Sequence, residues 1–303
     1  MELRHIRYFI AVAENLSISR AARELLIAQP PLSRQIRDLE EELGCALFER
    51  STHGLNLTPA GSAFLPYARQ ILELSGRSKE YLAEMAKGLQ GTIDIACVEG
   101  HAPRLLAGWI ADFVKQHPQI RYSIRNGSTD DVVYRVGNGL SDFGIITKPC
   151  NEEGLFAVPV YREPWTAMIP ADDPLAKEPG DTIPISALQD KDLIIPSRES
   201  RLSEIQRWFP STGKELRIRC RIAHMLNAYE LTRNGVGIAI YPASDNHFSG
   251  DSEIVIKRIT DPEVYASYLL VWDKSRQPSH IAQLFLKEVC ESMGLERPDQ
   301  ETF

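Results

Sequence analysis

Several side chains in the stretch 17–44 could make hydrogen bonds to the edges of DNA bases and to phosphates. Arg34 and Arg37 carry guanidinium groups, which can grip guanine or phosphate through paired N–H groups. Ser33 and Gln29 add shorter hydrogen-bonding groups close to these arginines. A helix that presents all four side chains outward would suit the major groove, so the residue types and their spacing favour contact with a nucleic acid.

Two short helices that meet at a tight corner would position these side chains. The first helix is predicted over residues 17–26, with a cap from the hydroxyl of Ser17 or Ser19. Residues 27–29 form the corner, and the two prolines at 30–31 fit the first turn of the second helix. The predicted buried stripes are Ala21, Ala22, Leu25 and Leu26 on the first helix and Leu32, Ile36, Leu39 and Leu43 on the second. The alternative is an ordinary two-helix packing unit with a solvated charged face.

The segments after this helix pair predict a two-stranded wing and then a long helix. Residues 45–61 contain two short apolar runs around a turn at residues 53–54. Arg50, at the base of the wing, either reaches a phosphate or the minor groove or is a solvated loop arginine. A threonine cap and a proline at residues 58–59 begin a helix that extends to Leu89, with apolar residues recurring every seven positions. Such a helix needs a partner along its length, or it packs on its own domain.

Near residue 91 the pattern changes to short apolar strands that alternate with helices. The repeated order of strand, helix and strand predicts a parallel sheet. Two crossings of the chain, near residues 162–164 and 265–267, predict two lobes with a cleft between them. The fold class is therefore α/β and multidomain: an N-terminal winged helix-turn-helix, a long linker helix, and a two-lobed α/β domain.

The predicted cleft has a set of candidate ligand-binding residues at strand ends and helix starts. In open parallel sheets, ligands gather at the carboxyl ends of strands, where free N–H groups at the next helix attract anions. On the first lobe this rule selects Glu99, Gly100, His101, Ser128, Thr129 and Thr147, and on the second lobe Pro196, Ser197, Arg198, His224 and Met225. Arg198 and the hydroxyls suit a small carboxylate, whereas Glu99 favours a different or partly cationic molecule. The alternatives are helix caps at residues 128–129 and structural roles for His101 and His224.

Length and composition limit the class of protein. The 303 residues are enough for about two domains, and the 43% hydrophobic and 25% charged residues are typical of globular chains. No run of eighteen apolar residues and no amino-terminal signal segment occur, so we expect a cytoplasmic location without membrane contact. Disulfides and a metal site are not expected, because the five cysteines are scattered and odd in number: Cys45, Cys97, Cys150, Cys220 and Cys290.

Charge argues against non-specific binding of nucleic acid over the whole surface. The net charge is −7, and the first sixty residues, with seven Arg and no Lys against eight Asp plus Glu, have a balance of −1. Attraction to DNA must therefore come from Arg34 and Arg37, which lie on one helix away from the carboxylates of residues 40–42. We therefore expect few phosphate contacts per subunit and binding by several subunits together.

Ordered motifs along the chain resemble the LysR-type transcriptional regulators. The first half carries MELRHIRYFIAVAE, SRAARELLIAQPPLSRQIRDLEEELG, LFER and LTPAG, and the second half carries PRLLAGWIADFVKQHPQI, NGLSDFGI, ADDPLA and RNGVGIAIYPAS. The match covers essentially the full chain, with weaker motifs in the second half. Two positions depart from the common pattern: Ala28 stands where Ser or Thr is frequent, and Gly100 stands where Ser or Thr often touches the effector.

The resemblance implies a domain organisation and a function. It places a DNA-binding domain at 1–58, a dimerisation helix at 59–90 and an effector-binding domain, similar to periplasmic solute-binding proteins, at 91–303. Within the effector-binding domain, lobe I comprises about 91–162 and 268–303, and lobe II comprises about 163–267. The implied DNA contacts are Ser19, Gln29, Pro30, Ser33, Arg34, Arg37 and Arg50. The implied partners are double-stranded DNA at a pseudo-palindromic promoter site, further copies of the chain as homodimer to homotetramer, and a small-molecule effector. The family uses no cofactor, and its regulators can also contact RNA polymerase.

The leading hypothesis is a regulator that senses a small metabolite in the cleft and controls nearby metabolic genes. A second hypothesis keeps this architecture but makes a cysteine the sensor, with Cys150 and Cys220 as candidates. A third hypothesis, a small-molecule-binding enzyme, would use Cys97 with His101, but no accompanying nucleophile or phosphate-loop pattern occurs. The sequence therefore predicts a regulator and not an enzyme.

Overall fold

The chain forms two compact units, residues 1–88 and 89–303. The computed structural model describes residues 1–51, 54–85, 91–209, 215–243 and 252–296. In these ranges no helix is both long and apolar enough to cross a membrane.

The first unit consists of three helices, a two-stranded hairpin and a long helix. Its elements are α1 (Leu3–Asn15), α2 (Ile18–Glu24), α3 (Gln29–Leu43), β1 (Phe48–Ser51), β2 (Gly54–Leu57) and α4 (Pro59–Met85). Ser17 caps α2, because its hydroxyl accepts the N–H of Arg20 at 3.3 Å. Phe9, Leu32, Ile36 and other apolar side chains of α1, α2 and α3 pack into one core. The predicted helix pair and wing are therefore present.

Two leucines of the predicted buried stripes lie at the surface instead. Leu26 is 91% exposed, because α2 ends at Glu24 and the backbone at Leu26 turns left-handed with φ 56°. Leu43 is exposed in the last turn of α3. The prediction that these two leucines are buried was wrong, while Leu32, Ile36 and Leu39 are buried as expected.

Glu40 and Thr58 attach the wing to the helices. One carboxylate oxygen of Glu40 accepts the backbone N–H groups of Leu47 at 2.7 Å and Phe48 at 3.0 Å. The Thr58 hydroxyl donates to the carbonyl of Ala46 and accepts the N–H of Gly61, so it caps α4 as predicted. The turn predicted at residues 53–54 includes His53, which lies outside the described residues.

The long helix α4 has two apolar faces with different surroundings. Phe64 and Ile71 pack against the core of the first unit, and Ala68 is fully buried. Tyr67 and Leu74, seven residues apart, are exposed, as is Leu82. The helix continues through Pro66. It therefore packs on its own unit along one face and presents an uncovered apolar line on another.

The second unit is built on a ten-stranded mixed sheet. Its strands are β3 (Gly91–Cys97), β4 (Ile120–Asn126), β5 (Phe143–Thr147), β6 (Leu155–Pro170), β7 (Thr182–Pro184), β8 (Leu193–Pro196), β9 (Ile218–Ile222), β10 (Ile238–Pro242), β11 (Ile254–Thr260) and β12 (Tyr265–Asp273). Its helices are α5 (Ala102–Gln116), α6 (Thr129–Gly137), α7 (Pro174–Lys177), α8 (Glu199–Trp208), α9 (Met225–Arg233) and α10 (His280–Ser292), with a 3₁₀ turn at Ile185–Leu188.

The strand β6 passes from one lobe to the other. Its first part pairs antiparallel with β12, up to Pro164 opposite Tyr265, and from Trp165 onward it pairs with β10 and β11. The strand order β4-β3-β5-β12-β6-β10-β8-β9 is parallel in the β3–β4, β3–β5, β8–β9 and β8–β10 pairs. The parallel pairing predicted from the strand–helix–strand repeats is therefore confirmed, whereas the two long strands that join the lobes, β6 and β12, run antiparallel to their neighbours.

Candidate functional site

Helices α2 and α3 bring the predicted DNA-contacting residues of the first unit together. The Ser19 hydroxyl donates to the side-chain oxygen of Gln29 at 3.0 Å, which joins the start of α2 to the start of α3. Pro30, Arg34 and Arg37 are exposed on α3, and Ser33 is half-buried between them. The Arg37 guanidinium donates to the carbonyl of Ser33 at 3.4 Å, which holds it along the helix. Arg50 lies in β1, and its side chain is outside the described part of the chain.

The prolines of α3 explain how alanine is tolerated at its N-cap. A capping hydroxyl at position 28 would accept the N–H of the second or third helical residue. These residues are Pro30 and Pro31, which have no N–H to give. Ala28 therefore removes no capping hydrogen bond, and α3 begins at Gln29 without a side-chain cap.

Two further arginines of α2 were missed by sequence reasoning. Arg20 and Arg23 are exposed, and Arg23 donates to the carbonyl of Ser19 at 3.4 Å. They follow Ser19 directly and lie off the buried pair Ala21 and Ala22, so the helical spacing alone could have identified them. With Arg34 and Arg37 they give this small unit four exposed guanidinium groups on the helix pair.

A cavity of about 410 Å³ lies between the two lobes of the second unit. It brings together ten of the eleven candidate ligand-binding residues: Glu99, Gly100, Ser128, Thr129, Thr147, Pro196, Ser197, Arg198, His224 and Met225. They follow β3, β4, β5, β8 and β9, all of which point their carboxyl ends at this space. The strand-end rule therefore located the cavity wall.

The remaining candidate, His101, is buried behind the cavity wall. Its ring stacks on Tyr161 with ring centroids 3.6 Å apart, and it is 7% exposed. Its backbone N–H donates to the Tyr268 hydroxyl at 3.1 Å, and that hydroxyl donates to the buried Glu163. Tyr268 lines the cavity and His101 does not, which corresponds to the structural alternative for this histidine.

Other residues that line the cavity were also missed. They include the aromatic residues Trp165, Tyr241 and Tyr268, the charged residues Asp131 and Arg201, and Asn126, Gly127 and Ile222. Tyr241 is the last residue but one of β10, so the strand-end rule extended to that strand would have found it. Trp165 and Tyr268 lie inside the antiparallel strands β6 and β12, where the rule gives no signal.

Two hydrogen-bonded bridges connect the lobes across the cavity. In the first, the Glu99 carboxylate contacts His224 Nδ1 at 2.6 Å and accepts the Met225 N–H at 2.9 Å. In the second, the Arg198 guanidinium donates to both carboxylate oxygens of Asp130, at 3.1 and 2.7 Å, and to the carbonyl of Pro149 at 2.8 Å. We call these the Glu99 bridge and the Arg198 bridge.

Buried groups of lobe II form the floor of the cavity. Burial lowers the pKa of Arg201, whose guanidinium lies over the Trp165 ring at 5.2 Å and donates to Glu204 at 2.6 Å. Burial, followed by the charge of Glu99, raises the pKa of Tyr241 well above its usual range, and its hydroxyl donates to the carbonyl of Ile222. Tyr241 therefore stays neutral, while Arg201 remains a cation at neutral pH because a guanidinium has a very high intrinsic pKa.

Two of the cysteines of the second unit, Cys97 and Cys150, have thiols whose pKa is raised. Burial raises the pKa of the Cys97 thiol to about 11. Burial and then the neighbouring Glu152 raise the pKa of Cys150 as well. Since the thiolate is the form that reacts with oxidants, neither residue is activated at neutral pH. The described residues also contain no group of His, Cys, Asp and Glu that could hold a metal ion.

A winged helix-turn-helix, joined to a two-lobed unit with a cavity, defines a DNA-binding regulator that carries an effector-binding domain. Residues 3–62 match the protein family described as "Bacterial regulatory helix-turn-helix protein, lysR family". Residues 86–294 match the family described as "LysR substrate binding domain". The chain belongs to the LysR family of transcriptional regulators. That family is one of regulators and not of enzymes, as the sequence predicted.

Individual relatives extend over nearly the whole chain. The regulator AlsR of Bacillus subtilis (strain 168) is 27% identical over 306 residues, 100% of both chains. TcbR of Pseudomonas sp. (strain P51) is 31% identical over 96% of this chain and 99% of its own. The crystal structure of CbnR, a LysR family transcriptional regulator, aligns with a TM-score of 0.78 at 29% identity, covering 97% of this chain and 99% of that one. Full-length CbnR complexed with its target DNA aligns with a TM-score of 0.77 at 30% identity, covering 96% and 100%.

Proposed function

We propose that this chain controls transcription of nearby metabolic genes in response to a small molecule bound in the cavity between its lobes. It would act in the cytoplasm, where a regulator meets the bacterial chromosome. The observation that carries the proposal is the cavity itself, because its wall is formed by strand ends of both lobes and both bridges cross it.

A ligand in this position would change the equilibrium between lobe arrangements. It would contact lobe I near Ser128 and Thr147 and lobe II near Ser197 and Met225, so its contacts form together only at one lobe separation. A ligand shifts a conformational equilibrium only through such a difference in affinity between the two states. Closure around β6 and β12, the strands shared by the lobes, is the corresponding motion.

The assembly would be a homodimer that pairs into a homotetramer. Tyr67, Leu74 and Leu82 form an exposed apolar line on α4, which a second copy of α4 can cover. Two recognition helices related by symmetry would read a pseudo-palindromic site, and their spacing would respond to the effector. The solved complex of CbnR with its target DNA supports the use of DNA as partner here.

DNA binding can be tested with a gel-shift titration of the protein on its own upstream region. We expect Arg34→Ala to weaken specific binding by about 1–3 kcal/mol, a factor of roughly 5 to 150, because a guanidinium contact to a base is lost. Arg207→Ala, which removes an exposed arginine from α8 in the other unit, is the matched control and should bind as the native protein does. Equal and weak binding of native protein to unrelated DNA at moderate salt would contradict the proposal.

Effector response needs a second measurement on the same DNA. A thermal-shift screen of metabolites identifies molecules that bind the folded protein, since preferential binding raises the melting temperature. A hit should then alter the DNase footprint of the native protein. A hit that leaves the footprint unchanged would contradict control of DNA binding from the cavity.

A further inference from the structure

We propose that Glu99 is a built-in carboxylate that fills the anion-binding end of the cavity. The effector is then a molecule that offers hydrogen-bond donors, as an amine or a hydroxyl does, and brings no carboxylate of its own. This inference rests on the proposed function, in that the cavity is the effector site, and it names the chemical class of the ligand.

The geometry of Glu99 is that of an anion bound at a helix start. Glu99 follows β3 in lobe I, yet its carboxylate lies at the first turn of α9 in lobe II, where it accepts the Met225 N–H at 2.9 Å. The N-cap residue of α9, His224, makes no side-chain cap of its own, and its Nδ1 lies 2.6 Å from the other carboxylate oxygen. The free N–H groups and the dipole of a helix start favour a negative charge at this place. Glu99 therefore occupies the position that the carboxylate of a ligand would take.

The other cationic or N–H-rich groups of the cavity are also engaged by carboxylates of the chain. Arg198 is paired with Asp130 through two hydrogen bonds. At the start of α6, Asp131 accepts both the N–H and the hydroxyl of Ser128, at 2.9 and 2.6 Å, in a capping box. Arg201 is paired with Glu204. Each of these three groups is thus already paired with a carboxylate of the chain.

An incoming carboxylate would meet the negative charges of Glu99 and Asp131, while the two arginines that line the cavity in the described part of the chain, Arg198 and Arg201, are already paired with carboxylates. A ligand with N–H or O–H groups has suitable acceptors instead, since the carboxylate of Glu99 faces the cavity and is about one-third exposed. Trp165, Tyr241 and Tyr268 provide an aromatic wall for an apolar ligand body. Glu99 is therefore the residue that determines ligand class.

The role of Glu99 can be tested by removing its carboxylate and supplying a substitute. Glu99→Ala deletes a CH₂–COO⁻ fragment, which has the size of acetate. We expect the melting temperature of full-length Glu99→Ala to fall by roughly 2–4 °C, because the partly exposed carboxylate loses its contacts with His224 and Met225 in a domain of this size. Acetate should restore it, whereas neutral acetamide and sodium chloride at equal ionic strength should not.

Matched variants separate this result from general effects on stability. Glu253→Ala removes a glutamate that pairs with Arg233 at the other end of α9, so it should gain no response to acetate. Glu99→Gln keeps an oxygen that can accept the Met225 N–H but loses the charge, and it should show neither the full loss nor recovery by acetate. If Glu99→Ala does not fold on expression, its refolding yield in acetate against acetamide gives the same comparison.

The same carboxylate titrations, carried out on the native protein, test the proposed ligand class. Acetate and propionate should raise the melting temperature of Glu99→Ala more than that of native protein. Equal stabilisation of native protein by these carboxylates, or no selective recovery of Glu99→Ala, would overturn the proposal. If acetate does not restore the melting temperature of Glu99→Ala but a metabolite alters the DNase footprint of the native protein, only the role of Glu99 is rejected. Recovery in a protein whose footprint no metabolite changes would instead reject the proposed function.

Discussion

The position of Cys97 at the end of β3 determines the behaviour of its thiol. The side chain is 1% exposed, and its sulfur lies 3.8 Å from the side-chain oxygen of Asn126. Burial disfavours the charged thiolate and raises the pKa from 9.0 to about 11. The folded protein therefore holds this proton over a range of pH in which the unfolded chain releases it.

This difference predicts a loss of stability at alkaline pH. Because the pKa of Cys97 is higher in the folded protein, the contribution of this thiol to the free energy of unfolding is fully present below about pH 9. That contribution is lost as the pH rises towards about 11. Two pH units correspond to on the order of 2–3 kcal/mol of unfolding free energy. We expect Cys97→Ala to lose less stability than native protein between these pH values, as measured by urea unfolding.

The same substitution at the exposed Cys45 is the control for the Cys97 experiment. Other buried groups, such as Tyr122 and Tyr241, contribute equally to both proteins and cancel in the comparison. An identical fall in stability for native protein and Cys97→Ala would show that this thiol does not determine the alkaline limit.

Residues that follow a strand or begin a helix were predictable, because the chain's local pattern fixes their place. Glu99 and Arg198 were selected by this rule and line the cavity. Their contacts with His224 and Asp130 were not predictable, since these partners are brought together only by the pairing of β6 with β12 and β10. Leu26 shows that a local pattern can also mislead. Its spacing fits the buried stripe of a helix, but α2 ends two residues earlier.

At the scale of elements, α4 illustrates why a single helix can serve two purposes. Its buried line, with Phe64 and Ala68, holds the first unit together, while Tyr67 and Leu74 remain uncovered. Apolar residues repeated at seven-residue spacing on an exposed helix face are typical of helix pairing. The spacing was visible in the sequence, but which line faces the unit's own core depends on the packing of α1 against α4.

We therefore predict that Leu74→Glu weakens self-association. Burial of a leucine side chain contributes about 2–3 kcal/mol, and a symmetric dimer loses two of them, so the dissociation constant should rise by at least about 100-fold. Sedimentation velocity at several concentrations measures the change. Lys79→Glu, an exposed charged position on the same helix, should remain associated as the native protein does. A Leu74→Glu protein with the native sedimentation coefficient at all concentrations would show that this line is not the interface.

At the scale of the second unit, the two lobes are joined by shared strands and by two bridges. The sequence predicted the crossings near residues 162–164 and 265–267, and these segments pair with each other in β6 and β12. It did not predict the antiparallel centre, because strand direction there depends on long-range pairing. The bridges add contacts that can break without disturbing the sheet, so they are suited to set the balance between lobe arrangements.

We predict that Asp130→Asn loosens the cavity at a distance from the substituted residue. The Asp130 side chain is 71% exposed, so the Arg198 bridge contributes only ~0.5–1 kcal/mol. Both bridges connect the same lobes, and loss of one should therefore increase opening of the other by roughly 2- to 5-fold. Amide hydrogen exchange at Met225, whose N–H is bonded to Glu99, measures this opening.

The control for this experiment removes an equal charge without crossing the cavity. Asp112→Asn breaks the exposed ion pair of Asp112 with Lys115 on α5, which lies within lobe I, and should leave exchange at Met225 unchanged. Unchanged protection of Met225 in Asp130→Asn would mean that the two bridges act independently, and control of the lobes would then belong to the β6 and β12 strands alone.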